Sequence, residues 1–350
     1  MLIQHLLRHA PPRAALDAAN EAVLALPEDA RLQEALARAS VAAGDLDLAV
    51  RAYGKLAAMQ PGAPEPLLAQ ARVHGAMKDT PAARRAIQQA LRLRPDSVEA
   101  LAHLAQLEAA ERRPAQALAA ARRMQALQPK DPRGLALEGK LRLQARQWAA
   151  AETALRAALR LEEQAGNQGD IAADLHRALR AQRQDAEAER FASGWQRAHP
   201  RDAVFLLHLG EAALARGQLA DVEPLLRTVL ALQPDNPDVM NNLAWIGQQL
   251  GRSDALSLAE RACALRPQAP SHLDTLALLQ AQHGRHDEAL VTQHRAIELA
   301  PDNPHLRLTL ARIHLLAGDK ASARRELERL DGLGDAFAGR PQVQALLRTL

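Results

Sequence analysis

Two sets of residues in this 350-residue chain have the types and spacings that recognise another molecule. The first is Asn241 and Asn242, side by side, with Trp245 following at helical spacing. Adjacent amides are poor helix formers unless their side chains are used elsewhere. An amide carries donors and acceptors for the backbone of an extended peptide, and a tryptophan supplies an anchoring aromatic face. The second set is basic. Arg38, Arg72, Lys140, Arg177 and Arg312 fall at one recurring position, held elsewhere by Gln106, Glu211, Trp245 and Leu278. His103, Arg180 and Asp274 fall beside it. A row of cations speeds encounter with a negatively charged segment and orients it. The same residues also suit a solvated helix face, where Glu34, Glu65 and Glu99 would neutralise part of the charge.

Groups of the catalytic kind show no such order. The thirteen histidines are scattered and none falls in an H-E-x-x-H spacing, while no G-x-S-x-G elbow or phosphate-cradling glycine loop occurs. Cys263 is the single cysteine, which excludes an intrachain disulfide and a cysteine-cluster metal site. Its neighbours Ala262, Ala264 and Leu265 predict a buried, inert thiol. Neither an enzyme, a metal nor a cofactor is expected. The net charge of +3 is the difference between 44 basic and 41 acidic residues, so the pI near 9.4 reflects a small surplus. Few aromatics, not interleaved with basic residues, make no base-stacking platform, and no nucleic-acid partner is expected. Trp148 and Trp195 fall on different helices from Trp245 and read as packing residues.

These residues must be positioned by helices. Hydrophobic residues make up 48% of the chain but aromatics only 2%, so the apolar content is chiefly Ala and Leu, a helix-forming composition. From Pro234 to Pro301 one unit is followed by most of its copy: two helical runs joined by a turn, at Gly251 and again at Gly284, with a proline after the second run. Counting in steps of about 34 residues gives the terminating prolines Pro27, Pro61, Pro95, Pro129, Pro200, Pro234, Pro267 and Pro301. A small residue where the second helix crosses the first recurs as Ala15, Ala49, Ala83, Ala117, Ala151, Ala188, Ala255, Ala289 and Ala323, with Val222 in one copy. A second small slot, in the first helix, holds Ala37, Ala71, Ala105, Gly139, Gly210, Ala244, Ala277 and Ala311, with His176 as the exception. Such small residues let two helices approach closely, with leucines filling the seam beside them. The predicted fold is all-α, a solenoid of about ten helical hairpins.

Two irregularities interrupt the register. Glu163 stands where a terminating proline is due, and Gly166-Asn167-Gln168-Gly169 reads as a longer turn, a bend between two blocks. One residue is lost after Gly251. The expected divisions are a first block over 1–165, a second over 169–337 and a capping helix over 338–350. The array starts inside a repeat without a polar cap, which predicts a piece of a longer chain. No apolar stretch is long enough to span a membrane, and the first residues do not form a secretory signal.

The slot pattern resembles the tetratricopeptide repeat family over nearly the whole chain, although the usual aromatic of that motif is present only as Tyr53. The resemblance implies a right-handed superhelix whose first helices line a concave groove. The groove residues would then be Arg38, Arg72, His103, Lys140, Arg177 and Arg180, followed by Asn241, Asn242, Trp245, Asp274 and Arg312. It also implies a scaffold or adaptor that binds a protein or an extended peptide, an acidic one if the basic series is used. A narrower resemblance covers roughly residues 234–330. There NNLAW, SLAERACALRP, RAIELAPDNP and AGDKASARRELERL are similar to repeats of bacterial lipoproteins of exopolysaccharide and PEP-CTERM systems. That likeness implies a role in envelope polysaccharide or protein export, cytoplasmic or periplasmic, although the chain carries no lipid-attachment cysteine at its start. Two other expectations stay open: a recognition arm of a larger enzyme such as a glycosyltransferase, and a periplasmic module that contacts polysaccharide.

Overall fold

The computed structural model describes residues 2–161 and 168–350. Among these residues every regular element is helical, with 21 α-helices and one short 3-10 turn. Hairpins form between α1 (Leu2–His9) and α2 (Pro12–Ala25), α3 (Ala30–Ala43) and α4 (Leu46–Met59), and α5 (Glu65–Ala76) and α6 (Thr80–Leu93). The pattern repeats in α7 (Val98–Ala110) and α8 (Pro114–Leu127), and in α9 (Pro132–Gln144) and α10 (Trp148–Leu161). The alternation continues with α11 (Gln168–Ala181) and α12 (Asp185–Ala198). Further hairpins follow in α13 (Ala203–Ala215) and α14 (Leu219–Leu232), and α15 (Pro237–Leu250) and α16 (Ala255–Leu265). The last are α17 (Pro270–Gln282) with α18 (His286–Leu299) and α19 (Pro304–Leu316) with α20 (Lys320–Asp331), before the final helix α21 (Arg340–Leu347). This is an α-solenoid.

The punctuation has local causes. Asp29, Ser97, Asp131, Asp202, Asn236 and Asn303 stand just before first helices, and each side chain accepts a backbone N–H from the helix it opens. The terminating prolines fall two residues beyond the last helical residue of each second helix, as Pro95 does after Leu93. Within hairpins, Gly44, Gly217, Gly251, Gly284 and Gly318 take left-handed backbone angles to close the turn.

The two small series lie at the centre of the packing. Every alanine of the second-helix series is at most 2% exposed, and Val222 is 1% exposed. In the first-helix series Gly139 is buried so closely that a Cβ there would stand 2.5 Å from Leu155 Cγ. Gly210 is looser, with Leu226 Cδ2 at 3.5 Å from the same construction. His176 fits its small slot by being almost wholly buried.

Packing divides the chain into two compact units, Met1–Ala188 and Glu189–Leu350. In the first unit, α1 to α5 share one core built around Leu16, Leu36, Tyr53 and Leu56. In the second, Val229, Met240, Leu243, Ile246 and Leu279 fill a larger one. Its far end is covered by α21, where Val343 is buried with Leu308, Leu327, Leu330 and Phe337. The residue lost after Gly251 falls before Ala255, and α16 has 11 residues where the other second helices of this unit have 14 or 12. Of the expected joint, Gln168 and Gly169 open α11, while Glu163, Gly166 and Asn167 lie outside the described residues.

Candidate functional site

In the first unit the basic series is exposed on the first helices. Arg38 on α3 and Arg72 on α5 both act on Tyr53, whose hydroxyl burial holds above its ordinary range while the two guanidiniums oppose the shift. Arg72 Nη1 lies 3.6 Å from Glu99 Oε1, and the same oxygen lies 3.9 Å from His103 Nε2. Burial, reinforced by Arg72, lowers the His103 pKa below its ordinary value, so this ring brings no positive charge to the series at neutral pH. Arg177 pairs with Asp174, and Arg180 Nη1 reaches Asp185 at 2.9 Å. Burial lifts the Asp174 carboxyl above its usual range, against the pull of Arg177 and Lys140. Glu65 is engaged elsewhere, accepting from Arg94 at 3.1 Å. Among the described residues, Arg38 and Lys140 have no ion-pair partner and remain the free cations of the series.

Lys140 also borders a cleft of about 440 Å³ between α7 and α9. Ala109, Ala110, Leu137 and Leu141 give it an apolar floor, and Gln106, Lys140 and Gln144 supply polar groups. Two of the three polar groups, Gln106 and Lys140, occupy the recurring position picked out from sequence. An apolar recess with a few polar groups around it is the usual form of a side-chain pocket.

In the second unit the amides of α15 part company. Asn241 is buried, at 9% exposure, and its Oδ1 has no hydrogen-bond partner. Asn242 is exposed and Trp245 is 41% exposed. Successive residues of a helix point in different directions, so the two amides do not act as one pair. Asp274 and Arg312 belong to a second neighbourhood. Gln293 Nε2 donates to Asp274 Oδ1 and to the Leu306 carbonyl, both at 2.7 Å. Burial raises the Asp274 pKa above its ordinary value, opposed by Gln293, Thr309 and Arg312. Arg312 Nη2 in turn donates to Gln342 Oε1 of α21 at 3.0 Å.

Other residues behave as packing. Trp195 stacks on His199, with ring centroids 4.2 Å apart, and donates from Nε1 to Asp202 at 2.9 Å. Burial pushes the Cys263 thiol up to about 11. Among the described residues no three His, Cys, Asp or Glu side chains come together to hold a metal, and no helix is long and apolar enough to cross a membrane. Asp174 was missed in the sequence reading, although its position just before the seam leucine is the one that His103 and Asn242 occupy.

Family models match the repeat pattern. A tetratricopeptide repeat model matches residues 1–64, 68–132 and 207–270, and a second tetratricopeptide repeat model matches 280–350. No curated protein matches. Among solved structures, the MamA RS-1 ArsTM double mutant is similar at 17% sequence identity and a TM-score of 0.39, covering 46% of this chain and 90% of that one. With 1–64, 68–132 and 207–270 together making up more than half of its length, the chain belongs to the tetratricopeptide repeat family.

Proposed function

We propose that the chain is a scaffold that holds an extended segment of a partner protein along its first helices. Repeats of this family support an interaction role, and the residue that carries the reading is Trp245, a large aromatic left 41% exposed on first helix α15. Its open indole face is an anchor for a partner side chain, and the exposed Asn242 amide on the same helix can pair with peptide backbone. In the first unit, Arg38 and Lys140 are free to meet carboxylates, and the cleft beside Lys140 suits an aliphatic side chain. The likeness of residues 234–330 to envelope-system repeats supports a partner in bacterial polysaccharide or protein export.

Selection from a random displayed peptide library, followed by affinity measurements on the winners, tests this. Trp245→Ala should weaken binding by about 2 kcal/mol. Arg72→Glu with Lys140→Glu should slow association of acidic winners, less so at high salt. Winners that bind both variants as they bind the parent would exclude the first-helix faces as the working surface.

A further inference from the structure

Within the hairpin turns, the described residues with a left-handed backbone are all glycine except four: Lys78, Arg112, Arg146 and Arg183, with φ between 55° and 60°. All four are basic, and all four belong to the first unit. They close successive links, α5 to α6, α7 to α8, α9 to α10 and α11 to α12. In the second unit the same place is held by Gly217, Gly251, Gly284 and Gly318. A side chain in this conformation is strained, and such strain persists where something else selects the residue. Space does not explain the difference, because a Cβ at any of those four glycines would meet nothing within 4 Å.

The four cations are exposed and, among the described residues, none has an ion pair or side-chain hydrogen bond. Their arginine neighbours behave differently. Arg113, beside Arg112, is tied to Glu108 at 2.9 Å and to Glu111. In the second unit Arg252 is tied to Glu223 at 2.8 Å and Arg285 to Glu260 at 2.7 Å. The acids on the same edge are already engaged: Asp79 caps α6 through the Ala82 N–H, Glu111 serves Arg84 and Arg113, and Asp185 meets Arg180. What is left is one uncommitted cation in each of the last four turns of the first unit, the α3–α4 turn being closed by Gly44.

We infer that this edge is a second binding surface, separate from the first-helix faces, and that its occupant is an extended acidic segment of a partner protein. Charge complementarity selects the anion. The spacing selects an extended chain: packed helices lie about 8–10 Å apart, the advance of about three extended residues. Only Trp148, opening α10 beside the Arg146 turn, offers an aromatic ring at this edge, and one ring makes no base-stacking platform.

The test is fluorescence anisotropy of a labelled glutamate-rich peptide against the full chain, at low and high salt. In the variant Lys78→Gly, Arg112→Gly, Arg146→Gly, Arg183→Gly, affinity at low salt should fall by at least about tenfold. The melting temperature should not fall, because glycine suits this backbone. The four-asparagine variant, whose side chain also tolerates the conformation, should lose the same affinity. Arg92→Gln with Lys130→Gln, exposed at the opposite end of the hairpins from these turns, should cost less than about threefold, since the charges lost lie far from the edge. Equal binding by parent and four-glycine variant would overturn the inference, as would an equal loss in the Arg92/Lys130 variant or a lower melting temperature. A double-stranded DNA of equal charge that binds more tightly, and loses binding in the four-glycine variant, would overturn the protein partner.

Discussion

Gly139 and Gly210 occupy equivalent slots and should answer to the same substitution with opposite signs. Ala is the better helix former by about 0.5–1 kcal/mol. At Gly210 the added methyl meets Leu226 at ordinary contact distance, so Gly210→Ala should raise stability by about that amount. At Gly139 it would run into Leu155, which is wholly buried and has nowhere to move, so Gly139→Ala should lower stability by about 1–3 kcal/mol. Chemical denaturation of the two variants decides it. Asn241 gives a further residue-scale expectation. Replacing an unpaired buried amide by an apolar side chain of similar size removes its desolvation cost, so Asn241→Leu should melt higher than the parent. A lower melting temperature would mean that the amide is used within the fold. The identity of both glycine slots was legible from spacing alone. The difference between them was not, because it depends on how far Leu155 and Leu226 reach.

At the scale of the element, three of the links between hairpins use a charged residue just after the second-helix small slot. Arg84 of α6 reaches Glu108 and Glu111 at the end of α7. Glu152 of α10 accepts from Gln182 after α11 at 2.9 Å, and Glu223 of α14 accepts from Arg252 after α15. The sign reverses between the first tie and the last, but the geometry repeats. This was hidden in the sequence, since a position that is Arg84, Glu152 or Glu223 in some copies and Leu16, Val50 or Leu118 in others shows no pattern until its partner in the next repeat is known. The helix ends and the small slots were legible, because proline, glycine and alanine act through their own backbone and size. Hydrogen bonds from Arg252 and from Arg84 hold the Glu223 and Glu108 carboxyls below their ordinary pKa, outweighing burial. A carboxyl with a lowered folded-state pKa adds stability that is full above the unfolded value and is lost as pH falls through the folded one. The protein should therefore lose stability on acidification below about pH 4. Glu223→Gln should flatten that loss, a change read from melts across the acid range.

For the molecule as a whole, stability in a repeat array is a sum of repeat and neighbour terms. The period of about 34 residues was readable through all but two irregular links and led directly to the family, because the same few small residues must recur wherever two helices cross. The candidate faces were less readable. The sequence places Arg38, Lys140 and Trp245 on one side of their helices, but which cations are free and which amide is buried depends on neighbours one repeat away. The central claim, that a partner lies along the first helices, is tested most directly at Trp245. With Trp148 and Trp195 replaced by Phe, the remaining tryptophan reports on its own surroundings. Adding a selected peptide to saturation should shift its emission to the blue and protect it from a soluble quencher, as a half-exposed indole becomes covered. A bound complex in which emission and quenching stay as they are in the free protein would contradict the account.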